Sequence, residues 1–169
     1  YHLSLNMISD SYVFTLPNSG TVDSIDSDVL NGKISEIKIE GGQSDLSRDF
    51  GLVKYLSIGD YVWEDQNADG IQGGEEFPVA RVEIRLKGTS FDNTTIDLKD
   101  TTDTQGKYLF SRVLPGKYNI DITIPQGFTP TRNSIGNDKN KDSNLPESGL
   151  SLAIKIAESK DDISYDFGL

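Results

Sequence analysis

Residues 81–87 read RVEIRLK, and the alternation in this stretch decides the fold class. Its apolar side chains, Val82, Ile84 and Leu86, recur at every second position, with charged side chains between them. A period of two places the apolar set on one face of an extended strand, whereas a helical set would repeat every ~3.6 residues. The stretch therefore predicts a strand that is buried on one face only.

The same alternation recurs along the chain, in YNIDITI (118–124), LSLAIKI (150–156) and DISYDFGL (162–169). Between such stretches, TQGK and LPGK have the composition of tight turns. No segment shows a convincing amphipathic helical period. We predict an all-β fold, an antiparallel two-sheet β-sandwich with about seven strands. The predicted strands are about 57–64, 79–88, 94–102, 107–114, 117–125, 150–157 and 162–169.

The composition excludes several classes of function. The chain has 27 acidic and 16 basic residues, a net charge of −11, one histidine and no cysteine. Such a balance argues against nucleic-acid binding, which needs clustered Lys and Arg. A serine–histidine triad would have to use His2, at the edge of the chain, and no apolar run is long enough to span a bilayer. We therefore expect no enzymatic activity, no nucleic-acid partner and no membrane insertion, and the acidic balance favours cation binding.

An internal repeat organises the chain. The tetrapeptide DFGL at 49–52 recurs at 166–169, and IKI at 37–39 recurs at 154–156 with the same spacing. Repeats of this kind define modules. We predict that residues 53–169 are one complete module and that residues 1–52 are the C-terminal half of a preceding one, so that the chain belongs to a tandem array.

The loop that follows the first predicted strand matches a calcium-binding pattern. In DQNADGIQGGEE (65–76) acidic and amide residues alternate, Gly70 stands at position 6 and a glutamate closes the loop at position 12. Calcium takes six to eight oxygen ligands, which alternate side chains of a tightly wound loop can supply. The flanking segments are strands, so a switch that opens a groove between helices is not expected. The predicted ligands are Asp65, Asn67, Asp69, the carbonyl of Ile71, and Glu76.

A second acidic loop, NDKNKDSN at 137–144, is a further metal-binding candidate. Its candidate ligands are Asp138, Asn140 and Asp142. The half-module carries Asp23, Asp26 and Asp28 in the equivalent loop. Because lysines alternate with the acids in 137–144, a solvated polar loop is the alternative. Asp60 and Asp103 lie near these loops and are either extra ligands or ordinary surface aspartates.

Five stretches in the same order resemble the SdrD B-type repeat, a member of the Cna-B-like group. They are SIGDYVWEDQNADGIQ (57–72), TTDTQGKYLFSRVLPGKY (101–118), GFTPT (127–131), DKNKDSN (138–144) and DFGL (166–169). The resemblance implies a prealbumin-like β-sandwich, neighbouring repeats of the same chain as partners, and Ca²⁺ in both acidic loops. It also implies a place in large secreted or cell-surface proteins. The isopeptide bond of the wider group is not expected here, because the first strand has no lysine to reach Asp166.

These observations lead to three functional expectations. The first is a non-catalytic, calcium-stabilised spacer, semi-rigid because only VKYLS (53–57) separates DFGL from the next module. The second is a filament subunit whose half-module is completed by other copies of the chain. The third is an adhesin domain that binds a ligand through exposed aromatic side chains such as Tyr61 or Trp63.

Overall fold

The computed structural model describes residues 1–7, 9–19, 21–22, 24–135, 137–146, 151–156 and 160–169. Asp23, and both ends of the predicted strand 150–157, lie outside these residues. The chain divides into two compact units, Tyr1–Tyr55 and Leu56–Leu169. Within the described ranges, no helix has the length and hydropathy that crossing a membrane requires.

The first unit contains four short strands and a small core. Its strands are β1 (Leu3–Ser4), β2 (Tyr12–Phe14), β3 (Lys33–Ile34) and β4 (Leu52–Lys54). β1 pairs with β3, and β2 pairs with β4, both antiparallel. The core consists of Val29, Ile34 and Ile37, with Phe14 and Phe50 packed against them. That residues 1–52 are the second half of an earlier module stays a prediction.

The second unit is built from eight strands in two sheets. They are β5 (Leu56–Glu64), β6 (Phe77–Pro78), β7 (Glu83–Ser90), β8 (Thr95–Thr101), β9 (Lys107–Val113), β10 (Gly116–Ile122), β11 (Ser151–Ile156) and β12 (Phe167–Gly168). One sheet has the order β11-β10-β7-β8, and the other has the order β12-β5-β6, with β9 also paired to β5. The prediction of an all-β, two-sheet fold is confirmed.

Side chains from both sheets form one continuous core. The alternation in 81–87 is confirmed, because Val82, Ile84 and Leu86 are all fully buried. From the other sheet come Ile58 and Phe167, which are also fully buried. The remaining core residues are Leu56, Val62, Val79, Tyr108, Phe110, Val113, Tyr118, Ile120, Ile122, Leu145, Ile154, Ile156 and Leu169. One face of each sheet is therefore buried, as period-two strands require.

The predicted strand 79–88 begins later than its sequence suggests. Arg81 has a φ of 64°, which lies outside the strand region, and β7 starts at Glu83. A threonine side chain replaces the missing ladder: Thr102 Oγ1 donates to the Val79 carbonyl at 2.8 Å and accepts from the Val82 amide at 2.9 Å. Both valines are consequently buried without belonging to a regular strand.

The predicted strand 162–169 also differs in two respects. Its regular part is only β12, and β12 runs parallel to β5, whereas the other strand pairs are antiparallel in the described chain. Ahead of β12, the Gly59 amide donates to the Asp162 carbonyl at 3.2 Å, and the Tyr165 amide donates to the Gly59 carbonyl at 3.4 Å. Because these bonds are irregular, the alternation does not extend to Ile163, which is 57% exposed rather than buried.

The DFGL segments of the two units are held by the same hydrogen bonds. Gly168 N donates to Ser143 Oγ at 3.1 Å, and Gly51 N donates to Ser27 Oγ at the same distance. The carbonyl of each glycine accepts from a threonine amide, that of Thr131 or Thr15. The repeat detected in the sequence thus corresponds to a repeated local structure.

Close packing explains the glycine of this motif. A Cβ at Gly168 would lie 2.4 Å from Thr131 Cγ2 and 2.9 Å from Trp63 Cζ2. We expect Gly168→Ala to destabilise the second unit by about 1–3 kcal/mol, the usual cost of overpacking. Urea denaturation followed by tryptophan fluorescence measures this, since Trp63 is the only tryptophan. Gly74→Ala is the control, because a Cβ there meets nothing within 4 Å; equal midpoints for the two variants would contradict the packing explanation.

Candidate metal centre

The first acidic loop is organised around the carboxylate of Asp65. This carboxylate accepts from the amide of Asp69 at 3.2 Å and from the amide of Gly70 at 2.8 Å. Asn67 Oδ1 accepts from the Asp69 amide at 3.0 Å, and Asp69 Oδ1 accepts from the Ile71 amide at 2.8 Å. The short polar side chains thus bend the backbone around themselves, which brings their oxygens to one side of the loop.

The glycine at position 6 is required by conformation and by space. Gly70 has a φ of +78°, a region that residues with a Cβ rarely adopt, and a Cβ there would lie 2.7 Å from the Arg132 carbonyl oxygen. The loop therefore passes directly against the chain at residue 132. This contact was not foreseen from the sequence.

Three carboxylates of the loop converge. Ligand oxygens of Asp65, Asp69 and Glu76 all lie within 4.8 Å of one another. Glu76 Oε2 accepts from the Gly73 amide at 2.7 Å, while its Oε1 is buried and accepts no hydrogen bond from the protein. Like charges this close repel one another, so the arrangement favours a bound cation.

The second acidic loop pairs with the first. Ile71 and Asp142 form an antiparallel bridge. On either side of it, the Gln72 amide donates to the Lys141 carbonyl at 2.7 Å, and the Ser143 amide donates to the Gly70 carbonyl at 3.3 Å. The two loops predicted as separate sites consequently form one acidic region.

The candidate ligands of the second loop differ in burial. Asp142 is buried, and its Oδ1 has no hydrogen-bond donor. Asp138 and Asn140 are exposed, and Asp138 Oδ1 accepts from the Asn140 amide at 3.1 Å. Within the described residues, the group of acidic side chains close enough for one ion is that of the first loop alone, so the second set stays a prediction.

Two carboxyl groups of this region have pKa values displaced in opposite directions. Partial burial would raise the pKa of Asp65, but hydrogen bonds from the Thr131 hydroxyl and from the Gly70 and Asp69 amides outweigh it and lower that pKa. Asp166 behaves differently: burial, followed by the charges of Asp60 and Asp142, raises its pKa to about 8. Asp65 is thus prepared as an anion, whereas Asp166 has little that stabilises its charge.

Sequence reasoning missed two residues that shape the region. Thr131 Oγ1 donates to Asp65 Oδ2, a contact between residues 66 positions apart. Asp166 was considered only as a crosslink acceptor, yet it is 1% exposed and lies beside the acidic loops. The repeat carried a signal for it, because Asp49 and Asp166 both precede Phe-Gly-Leu.

Asp60 and Asp103 occupy different environments. The pKa of Asp60 is raised by burial, which the charge of Lys107 partly offsets. Asp103 Oδ1 accepts from the amides of Gln105 and Lys107 at 2.8 and 3.0 Å. Asp103 therefore closes a hairpin turn, whereas Asp60 belongs to the surroundings of Asp166.

The donor set suits calcium. The converging groups are carboxylate oxygens, with an amide oxygen of Asn67 beside them and no histidine or cysteine in the region. Hard oxygen donors select Ca²⁺ or Mg²⁺, and Ca²⁺ tolerates the larger and less regular ligand set. The orphaned Oε1 of Glu76 is also the atom expected of an unshared ligand.

Similar sequences occur in staphylococcal proteins. The chain is 35% identical over 159 residues to the serine-aspartate repeat-containing protein F of Staphylococcus epidermidis, which covers 90% of this chain and 9% of that protein. It is 37% identical over 169 residues to the serine-aspartate repeat-containing protein D of Staphylococcus aureus, which covers 99% of this chain and 12% of that protein. The chain therefore spans only about a tenth of the length of these relatives.

Two solved structures of pilins show a limited likeness. GBS52, the minor pilin of Streptococcus agalactiae, matches with a TM-score of 0.40 and 15% identity, over 77% of this chain and 57% of that one. BcpA, the major pilin subunit of Bacillus cereus, matches with a TM-score of 0.38 and 12% identity, over 80% and 41%.

The family assignment comes from the sequence of the second unit. The sequence model of the SdrD B-like domain matches residues 56–169, which include both acidic loops and the closing DFGL. The relatives in this family are non-enzymatic repeat proteins, and the module is not an enzyme. Through residues 56–169, the chain belongs to the SdrD B-like domain family.

Proposed function

We propose that residues 56–169 form a calcium-binding structural repeat that acts as a semi-rigid stalk or spacer in a large extracellular or cell-surface protein. The convergence of Asp65, Asp69 and Glu76 in one loop carries the proposal. Bound calcium would neutralise these carboxylates, and the Ile71–Asp142 bridge would transmit its effect to the second loop. Asn67 and the carbonyl of Ile71 would complete the ligand set of the first loop.

Membership of the family supports the repeat and its setting. The matched relatives are much longer repeat-containing proteins, so neighbouring repeats of the same chain are the expected partners. In sequence, only Tyr55 separates β4 from β5, which leaves little free linker between consecutive modules. A short linker and a metal-tied loop both restrict motion, which is what a spacer needs.

A ligand-binding adhesin domain is less well supported by the aromatic side chains. Trp63 is fully buried, so it cannot contribute to an exposed patch as one expectation required. Tyr61 is half-buried and stacks on Trp63 with ring centroids 6.4 Å apart. Filament assembly through the half-module stays a prediction, which size-exclusion chromatography of the chain checks.

Calorimetric titration of the 169-residue chain with calcium tests the proposal. We expect saturable binding that Asp65→Asn weakens by about tenfold or more, because calcium affinity follows the number of charged ligands. Asp97→Asn is the control, since Asp97 is an exposed carboxylate on β8 that pairs with Arg85. The absence of binding in the unchanged chain would refute the proposed function.

A further inference from the structure

Asp166 is a buried carboxylate without a partner. It is 1% exposed, and neither of its carboxylate oxygens accepts a hydrogen bond. The Tyr61 amide faces the carboxylate and favours its ionised form, but it makes no bond of standard geometry. A buried ionisable group that is neither paired nor hydrogen-bonded costs several kcal/mol. Such a cost in an otherwise well-packed core calls for an explanation.

The neighbours of Asp166 increase this cost. Asp60, Asp142 and Asp138 all act on it with like charge. Asp142 is itself buried, with an Oδ1 that accepts no hydrogen bond. In the described part of the chain, neither Asp142 nor Asp166 forms an ion pair with lysine or arginine. Two buried acids thus lie in one acidic environment without a protein cation to balance them.

Backbone bonds fix the position of Asp166 relative to the second loop. The Asp166 amide donates to Asn144 Oδ1 at 2.7 Å, and the Asn144 amide donates to the Asp166 carbonyl at 2.8 Å. Asn144 is two residues beyond Asp142, and the next bond along the chain joins Gly168 N to Ser143 Oγ. The main chain therefore holds both carboxylates in place, as a preorganised ligand pair requires.

The first unit provides an internal comparison. The Asp49 amide donates to Asp28 Oδ2 at 2.8 Å, and the Asp28 amide donates to the Asp49 carbonyl at 3.0 Å. These are the same backbone bonds that Asp166 makes with Asn144, but Asp49 is exposed. The backbone arrangement alone therefore does not require a buried acid, and the burial of Asp166 needs a separate reason.

We propose that Asp142 and Asp166 bind a second calcium ion, which ties the closing strand to the acidic loops. This inference rests on the proposed calcium-binding function and adds a ligand outside both loops. Carboxylates without histidine or cysteine are hard oxygen donors, which suit Ca²⁺. The second ion is separate from the one assigned to Asp65, Asp69 and Glu76. Its effect is to join β12, and hence β5, to the second loop.

Asp166→Asn tests this proposal through the sign of its effect. In chelator at neutral pH, the variant should melt at a higher temperature than the unchanged chain, because an amide carries neither the buried charge nor the cost of protonating it. In saturating calcium, the variant should gain less in melting temperature than the unchanged chain. Calorimetry should show one calcium ion fewer per chain. Asp49→Asn, at the equivalent exposed position, should change none of these quantities.

The outcomes separate this inference from the proposed function. If Asp166 is merely structural, Asp166→Asn melts lower in chelator and in calcium alike and keeps its ion count, which overturns the inference. A variant that fails to fold in chelator overturns it as well, since the substitution removes an unfavourable charge. If Asp65→Asn loses one ion and Asp166→Asn loses none, the proposed function stands and the second ion does not. If the unchanged chain binds no calcium, both fail.

Discussion

Removing calcium should lower the melting temperature of the second unit by roughly 10 °C. Metal that binds the folded state alone stabilises it by about 2.7 kcal/mol at a hundredfold excess over Kd. For a unit of this size, 1 kcal/mol corresponds to a shift of about 3–6 °C. The expected cause is repulsion among Asp65, Asp69 and Glu76, whose oxygens lie within 4.8 Å of one another. Thermal melts of the full chain in calcium and in EDTA measure the shift.

Two comparisons make this measurement specific. Magnesium should restore less stability than calcium, because it needs octahedral geometry and gives up its water reluctantly. Asp65→Asn should reduce the difference between the calcium and EDTA melts, whereas Asp97→Asn should preserve it. Small-angle scattering should also show a more flexible chain in EDTA. Identical melting curves in calcium and EDTA would contradict a stabilising role for the metal.

Phe167→Ala should be the most destabilising single substitution among those considered, at about 3–5 kcal/mol. Phe167 is fully buried, stacks on Tyr108 with ring centroids 5.8 Å apart, and belongs to the short strand that pairs in parallel with β5. A cavity there would also disturb the bond from Tyr108 Oη to the Tyr165 carbonyl, 2.7 Å long. Urea denaturation in calcium, followed by the fluorescence of the buried Trp63, reports on this unit.

Leu109→Ala is the matched control, because Leu109 lies on β9 with 52% of its surface exposed. Its loss should change the free energy of unfolding by about 0.5 kcal/mol or less. A cost for Phe167→Ala below about 1 kcal/mol would mean that the closing strand contributes little to the core. The β12–β5 pairing would then be peripheral to the stability of the fold.

Individual elements show how far local pattern extends. Alternation identified β7 and β10, because a strand buried on one face must carry its apolar residues at every second position. It failed for residues 79–82, where the Thr102 hydroxyl supplies the hydrogen bonds of a missing ladder. It failed again at Ile163, since alternation does not reveal that the last segment bonds irregularly to Gly59.

The sequence by itself determined the all-β class, the repeated DFGL segments and the shape of the first acidic loop. These depend on neighbours along the chain: period-two burial, and side chains such as Asp65 that bond to amides a few residues away. Only the tertiary structure decided that Asp142 pairs with Ile71, that Thr131 holds Asp65, and that Asp166 is buried among other acids. These contacts join segments far apart in sequence, and their burial and like-charge repulsion arise only when the folded chain brings those segments together.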